Sequence, residues 1–374
     1  METIKGVFAT AKIFTCSNRE HALDPYAEAQ LQNLCDNPAA EGSVIRVMPD
    51  VHPGQVCTIG LTMTVGEKII PHIVGIDIGC GMTLAQVKGK NIEFQKLDKV
   101  IRESVPSGFN IRKKPHRFVE EFDFEKLRCV SHINRQKAER SLGTLGGGNH
   151  FIEVDKDGEG NVYLVIHSGS RHLGKEVTDH YVNAGAAALK KEGRDVPYPM
   201  TYIEGSLRED YLHDLQVVQT YAELNRRIIV DEIVKGMKWK LLETYSCIHN
   251  YIDFSQEPAI LRKGAISARD GERVIIPINM RDGIILGTGR GNAEWNDSAP
   301  HGAGRIAKRE DIVKTHTLAE FKAEMKGIYS PSISKGTLDE APFAYRSLEE
   351  IREVIQETVQ IGKISSPVYN FKAE

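Results

Sequence analysis

The chain has 374 residues, 41% of them hydrophobic and 26% charged, and its 48 basic and 51 acidic side chains leave a formal net charge of −3. That is the composition of an ordinary soluble globular protein, and no apolar run approaches the ~18 residues of a membrane helix. It also excludes a generally basic nucleic-acid binder, so contact with a polyanion has to come from a local basic patch or from bound metal. Met1 to Thr10 shows no basic stretch followed by an apolar core, which predicts a cytoplasmic protein without a secretory leader.

In chain order, Val44–Val47 and Thr58–Val65 are rich in β-branched residues and bounded by Gly and Pro, and they read as strands. Ile73–Ile76 reads as another short strand, running into Gly75-Ile76-Asp77-Ile78-Gly79-Cys80-Gly81. Val162–Ile166 has strand length and ends at His167-Ser168-Gly169-Ser170. Ser206 and Glu209 fit a capping box, and Leu212, Leu215, Val218, Ala222, Ile229 and Ile233 continue with helical spacing to about Trp239. Ser347 and Glu350 repeat the box, with Leu348, Ile351, Val354, Ile355 and Val359 on one face. Strands in one part and helices in another predict an α+β layer fold. No composition shift marks a boundary, so residues 1–374 read as a single domain.

The six cysteines, Cys16, Cys35, Cys57, Cys80, Cys129 and Cys247, form no CxxC pair and read as reduced core residues, with Cys80 the exception. Candidate basic patches are Arg112-Lys113-Lys114 through Arg117, Arg262-Lys263, and Arg305 with Lys308 and Arg309.

Histidines recur in glycine-rich turns: Asp50-Val51-His52-Pro53-Gly54, Gly146-Gly147-Gly148-Asn149-His150, His167-Ser168-Gly169-Ser170 and His301-Gly302-Ala303-Gly304-Arg305. Such turns carry functional side chains and let backbone approach a ligand closely. Asp77, Cys80, His150, His167 and His249 offer carboxylate, thiolate and imidazole without zinc-finger spacing. That mixed set suits a divalent transition metal, with Mn, Zn, Co and Fe all open. The Gly-Gly-Gly-Asn-His and His-Gly-Ala-Gly-Arg turns can present N–H groups to oxyanions. No GxxxxGK[ST] loop is present, and Gly287-Thr288-Gly289-Arg290-Gly291 lacks the helix and acidic partner of a dinucleotide loop. Nucleotide activation would therefore need another nucleophile, and a neutral imidazole can serve by forming a phosphoramidate.

Taken together, Met48-Pro49-Asp50-Val51-His52, the Gly75–Gly81 turn, Leu145–Glu153, His167–Arg171, Arg262–Ala265 and His301–Arg305 resemble, in order, the signature blocks of the RtcB RNA ligases. Ala341–Tyr345 and Val368–Lys372 resemble tail elements of that family, so the likeness spans nearly the whole chain. It implies mixed sheets around a deep metal-containing cleft with flanking helices. It also implies a GTP- and Mn²⁺-dependent ligase that joins RNA ends bearing a 3′-phosphate or 2′,3′-cyclic phosphate to 5′-hydroxyl ends, in RNA repair or tRNA splicing. By motif, Asp77, Cys80 and His150 would hold one ion and Cys80, His167 and His249 a second. His301 would carry GMP. Asn149, His150, Phe151, Glu153, His249, Asn250, Asn279, Met280, Gly302, Ala303, Gly304, Tyr345 and Lys372 would line the nucleotide site, and Asp50 would lie near the RNA end. The resemblance admits archease as an activating partner and implies no membrane.

The likeness departs from the family pattern at Pro277-Ile278-Asn279-Met280-Arg281, where a Pro-Gly-Ser-Met-Gly loop is usual, so it does not extend to strict choice of guanine. His172 replaces a usual glycine, and the chain is shorter than typical members, as in a divergent bacterial subfamily. Two readings without ligation remain open: a binuclear metal-dependent cyclic phosphodiesterase, and an RNA-end binder. The intact His301–Arg305 block favours the ligase. His21, His72, His116, His132, His180, His213 and His316 lie in no such turn and read as surface or structural residues.

Overall fold

A computed structural model describes residues 2–15, 23–88 and 91–373; Cys16 and His21 lie outside them. The fold is mixed α+β. One sheet has six strands in the order Glu2–Lys5, Thr10–Ile13, Ile45–His52, Ile59–Thr64, Ile260–Lys263 and Asn250–Asp253. The other has seven, in the order Lys240–Ile248, Gly81–Lys88, Val162–Ser168, Phe151–Lys156, Val359–Lys372, Gly283–Gly289 and Arg273–Asn279.

The strand Val162–Ser168 is buried along its whole length, because both faces of its sheet are covered. Side chains alternate across a strand. Val162, Leu164 and Ile166 therefore pack with Ile101, Ile229 and Ile233 of the helices Phe94–Ser104 and Gly205–Met237. Tyr163 and Val165 pack on the opposite face with Ile275, Ile285 and Ile355. A third cluster fills the space between the six-stranded sheet and the helices Pro25–Cys35, Arg171–Lys191 and Gly205–Met237, including Leu31, Val47, Leu173 and Leu215.

Local signals and tertiary structure disagree at three places. Ile73–Ile76 is not a strand: Pro71 starts a single helical turn, Pro71–Val74, which ends where Gly75 takes φ +87°. The long helix begins at Gly205, and Glu204 precedes it without a side-chain cap, so Ser206 is already inside. The strand pair Lys68–Ile69 with Ile203–Glu204 delivers the chain to that start. The Ser347–Glu350 capping box is formed, but its helix covers only Leu348–Val354. Val359 instead opens a 14-residue strand, Val359–Lys372. Cys35, Cys57, Cys129 and Cys247 are free and buried, as expected of reduced core thiols, and Cys80, read as the exception, is free and buried too.

Candidate active site

The register of the seven-stranded sheet builds the site. Met82 lies opposite His167, His167 opposite Phe151, and Ile248 opposite Gly81. Cys80 and His150 each immediately precede a strand, and His249 immediately follows one. Four neighbouring strands therefore deliver Cys80, His150, His167 and His249 in a row at one end of the sheet. Cys80 Sγ is 3.4 Å from Nε2 of both His150 and His167. Asp77 Oδ2 lies 2.9 Å from His150 Nε2, and His249 Nε2 lies 3.3 Å from His167 Nε2.

This cluster fits a divalent cation. His150 Nδ1–H donates to the Leu145 carbonyl at 2.8 Å, and His167 Nδ1–H to the Asn149 carbonyl at 3.1 Å. Each bond fixes the tautomer and leaves Nε2 as a bare lone pair. Two such lone pairs, a carboxylate oxygen and a sulfur then face one another, with ligand atoms of Cys80, His150 and His167 all within 4.8 Å. Acceptors aimed at one point can share a cation between them. Burial and the nearby Asp77 carboxylate push the Cys80 thiol well above its usual range, so metal binding must displace its proton. Burial would raise the Asp77 carboxyl too, but the His150 imidazole 2.9 Å away and the charge of Arg171 outweigh it and hold the carboxyl low.

Sequence reasoning missed the residues that hold these turns. Asn225 and Arg226 lie inside the long helix and are fully buried. Asn225 Oδ1 accepts from the Gly143 and Thr144 N–H groups at 2.7 and 3.1 Å, and its amide donates to the Thr144 and Gly169 carbonyls. Arg226 Nη1 donates to the Gly79 carbonyl at 2.7 Å and to the Ser168 carbonyl at 2.9 Å, tying the Cys80 and His167 turns together. The available signal was an Asn-Arg pair interrupting an apolar helix face. Asn225→Ala leaves several buried backbone groups without partners, and the expected loss is about 3 kcal/mol or more. Urea unfolding checks this, and a loss below about 1 kcal/mol would show that the braces are dispensable.

Beside the cluster opens a cleft of about 790 Å³, its solvent-open mouth included. Asn149, Phe151, Glu153, His167, His249, Asn279, Met280, His301, Gly302, Ala303, Gly304, Tyr345 and Lys372 all line it. His150 sits with Cys80 rather than in the lining. Asn250 is also outside it: its amide donates to the Asp77 carbonyl at 3.4 Å and accepts from Gly264 N–H at 3.1 Å, bracing the Asp77 turn. Asn279 Oδ1 accepts from the Arg281 and Asp282 N–H groups at 2.9 Å, and its amide donates to Asp282 at 2.8 Å. The side chain is thus spent on the turn that replaces the glycine-rich loop. Met280 packs with Phe321, Met325 and Leu338.

His301 stands on the cleft wall with its side chain 16% exposed, and its ring meets His249 edge-on at 4.9 Å between centroids. Its Nδ1 donates to Asp50 Oδ2 at 2.7 Å. Asp50 is fully buried and supports His301 from behind. At the far side Glu340, also missed, accepts from Lys372 Nζ at 2.7 Å and Tyr345 OH at 2.6 Å, with Arg305 and Arg309 nearby. Burial would raise its carboxyl, but Lys372, Arg309 and Arg305 outweigh burial and hold it at about 2. Burial and the neighbouring Asp155 push Glu153 well above the carboxylate range.

The basic stretches divide. Arg262 is fully buried and paired with Asp253 at 2.8 Å, so it is no nucleic-acid patch. Arg305 faces the cleft, and Lys113 and Lys114 are exposed. Of the histidines read as structural, His116 bonds Glu232 at 3.1 Å, His132 stacks on His180 and His316 on Phe343.

Burial lowers His52 to about 4 and carries His167 and His249 well below the usual range. Unfolded imidazole titrates near 6.5. The unfolded chain therefore binds more protons once pH drops below about 6.5, and the metal-free protein loses stability from there toward pH 4. Melting in chelator at stepped pH tests this; a melting temperature that holds or rises from pH 7 to 5 contradicts it.

Comparison with known proteins gives this architecture its family. A family model described as tRNA-splicing ligase RtcB matches residues 30–373. The RNA-splicing ligase RtcB of Escherichia coli K12 is 28% identical, over 85% of this chain and 87% of its own length. The tRNA-splicing ligase RtcB of Archaeoglobus fulgidus is 29% identical, over 94% and 91%. RNA-splicing ligase RtcB2 of Escherichia coli ATCC 25922 is 27% identical, over 91% and 89%. The chain belongs to the RtcB family of RNA-splicing ligases.

Proposed function

We propose that this chain, acting as one catalytic domain over residues 1–374, joins RNA 3′-phosphate or 2′,3′-cyclic phosphate ends to 5′-hydroxyl ends, with GTP and two Mn²⁺ ions. The observation that carries this reading is His301. Asp50 takes its Nδ1–H, which leaves Nε2 as the free nitrogen of a ring on the cleft wall beside the metal-binding cluster. Asp77, Cys80 and His150 would hold one ion and Cys80, His167 and His249 the other; bound there, the metals neutralise phosphate charge.

The His301 Nε2 lone pair attacks the α-phosphorus of GTP, forming a P–N bond and expelling pyrophosphate. Asp50 stabilises the imidazolium that results and keeps the ring oriented. A cyclic phosphate end is opened by water to a 3′-phosphate. An oxygen of that 3′-phosphate attacks the α-phosphorus, breaking the P–N bond and restoring His301. The 5′-hydroxyl oxygen then attacks the 3′-phosphorus, loses its proton and expels GMP. Positioning and charge neutralisation govern each displacement.

Because Asn279 is spent on its own turn, base choice rests on the polar groups at the far wall, chiefly Glu153 and Lys372. RNA repair or tRNA splicing in the cytoplasm, with archease as an activating partner, fits this chemistry. The test supplies one RNA with a 2′,3′-cyclic phosphate and one with a 5′-hydroxyl, with GTP and Mn²⁺. A joined product is expected, and none from 3′-hydroxyl and 5′-phosphate ends. Opening of the cyclic phosphate without joining under any nucleotide would favour the phosphodiesterase instead.

A further inference from the structure

The loop from Pro106 to Lys114 takes no part in the chemistry above, yet it is fastened to the loop that carries Asn149 and His150. Gly108 N–H donates to the Gly146 carbonyl at 2.8 Å, and Ser107 and Gly146 form a parallel bridge. Arg171 Nη2 holds the Gly108 carbonyl at 3.2 Å. At the tip stands Phe109, 106% exposed, where the next most exposed large hydrophobic among the described residues, Val7, reaches 78%. The residues lining the surface beside it are mostly small or polar, among them Ser107, Gly108, Asn110 and Ser332.

A groove passes this ring. It consists of two adjoining depressions that share Asn110 and Phe371, one holding Lys113 and Lys114 and the other Phe109 and Lys372. Lys372 is shared with the wall of the candidate nucleotide cleft, so the groove lies directly beside it. Lys113 and Lys114 are exposed and have no ion pair among the described residues. Glu103, the acid in this lining, is matched already by Lys99 at 3.9 Å. Free cations, a bare aromatic ring and polar neighbours suit a single nucleic-acid strand, which offers phosphates and stackable bases together. A protein partner would want apolar area around Phe109, and there is little.

We infer that this groove is a track for the single-stranded RNA leading to the joined end, with Phe109 stacking a base and Lys113 and Lys114 meeting backbone phosphates. The inference rests on the RNA-joining reading and adds to it where the strand lies. It also explains how a chain of net charge −3 can hold RNA away from its metals.

The experiment is fluorescence anisotropy of the full chain with a single-stranded oligoribonucleotide of about twelve nucleotides, run beside labelling by α-labelled GTP. Phe109→Ala is expected to weaken binding about tenfold, and Phe109→Trp to restore it. Lys113→Ala with Lys114→Ala is expected to weaken binding and to flatten the salt dependence by roughly 1.4 log units per log unit of salt. Label on His301 should be unchanged in all three, since none of these side chains enters the cleft. Wild-type affinity in Phe109→Ala would overturn the track, as would equal weakening toward a dinucleotide that is too short to reach the loop. Failure of the ligase reading looks different: the wild type takes no label, whatever its affinity for RNA.

Discussion

His301→Ala is expected to abolish both labelling by GTP and joining of RNA ends, by on the order of 10⁴-fold or more, as for removal of other covalent nucleophiles. The fold should survive, because the side chain lies on the cleft wall and makes one hydrogen bond, to Asp50. Asp50→Asn separates the nucleophile from its support. It keeps the shape but no longer offers a carboxylate to Nδ1–H, so the imidazolium of the phosphoramidate is less stabilised and the tautomer less fixed. A loss of roughly 10² to 10⁴ in the labelling rate is expected, with binding of GTP little changed. Single-turnover labelling beside equilibrium nucleotide binding separates the two effects. If both variants label at the wild-type rate, the nucleophile is elsewhere.

Cys80→Ala carries the second large effect. Cys80 Sγ lies between His150 and His167, so its loss removes the atom that joins the two halves of the cluster. Two readouts besides joining activity follow. Metal retained after desalting should fall, and the gain in stability on adding Mn²⁺ should shrink. For the wild type that gain is about 2.7 kcal/mol at a hundred times the dissociation constant. Since the thiol is held high by burial and by Asp77, metal affinity in the wild type should also weaken as pH falls, and weaken less in the variant. A Cys80→Ala protein that binds and is stabilised by Mn²⁺ like the wild type would remove Cys80 from the metal site.

The sequence made the chemical residues legible and left their assembly hidden. Cys80, His150, His167 and His249 each sit at a strand end, but only pairing register puts those ends side by side, and register is a long-range property. Asp50 shows the same limit. Its block could be read, yet its burial behind His301 follows from the strand Ile45–His52 meeting a turn some 250 residues later in the chain. Local signals succeeded where local physics decides. The Ser347–Glu350 box forms because both partners lie within one turn, and Val162–Ile166 is a strand because an apolar run can be covered on both faces. They failed where context decides. The helix Arg171–Lys191 went unread although Leu173, Val177 and Tyr181 keep its spacing, because it begins inside the glycine-rich block with Arg171 at positive φ. Val359 kept a helical spacing with Ile355, but the pairing of Val359–Lys372 with Phe151–Lys156 and Gly283–Gly289 claims it for a strand.

The most direct test is intact-mass spectrometry of the wild-type chain after incubation with GTP and Mn²⁺, followed by peptide mapping under conditions that preserve acid-labile P–N bonds. One GMP adduct confined to His301, discharged on adding RNA with a 3′-phosphate, is the predicted result. Joining of RNA ends with no adduct on His301, or an adduct on another residue that His301→Ala leaves in place, would contradict it.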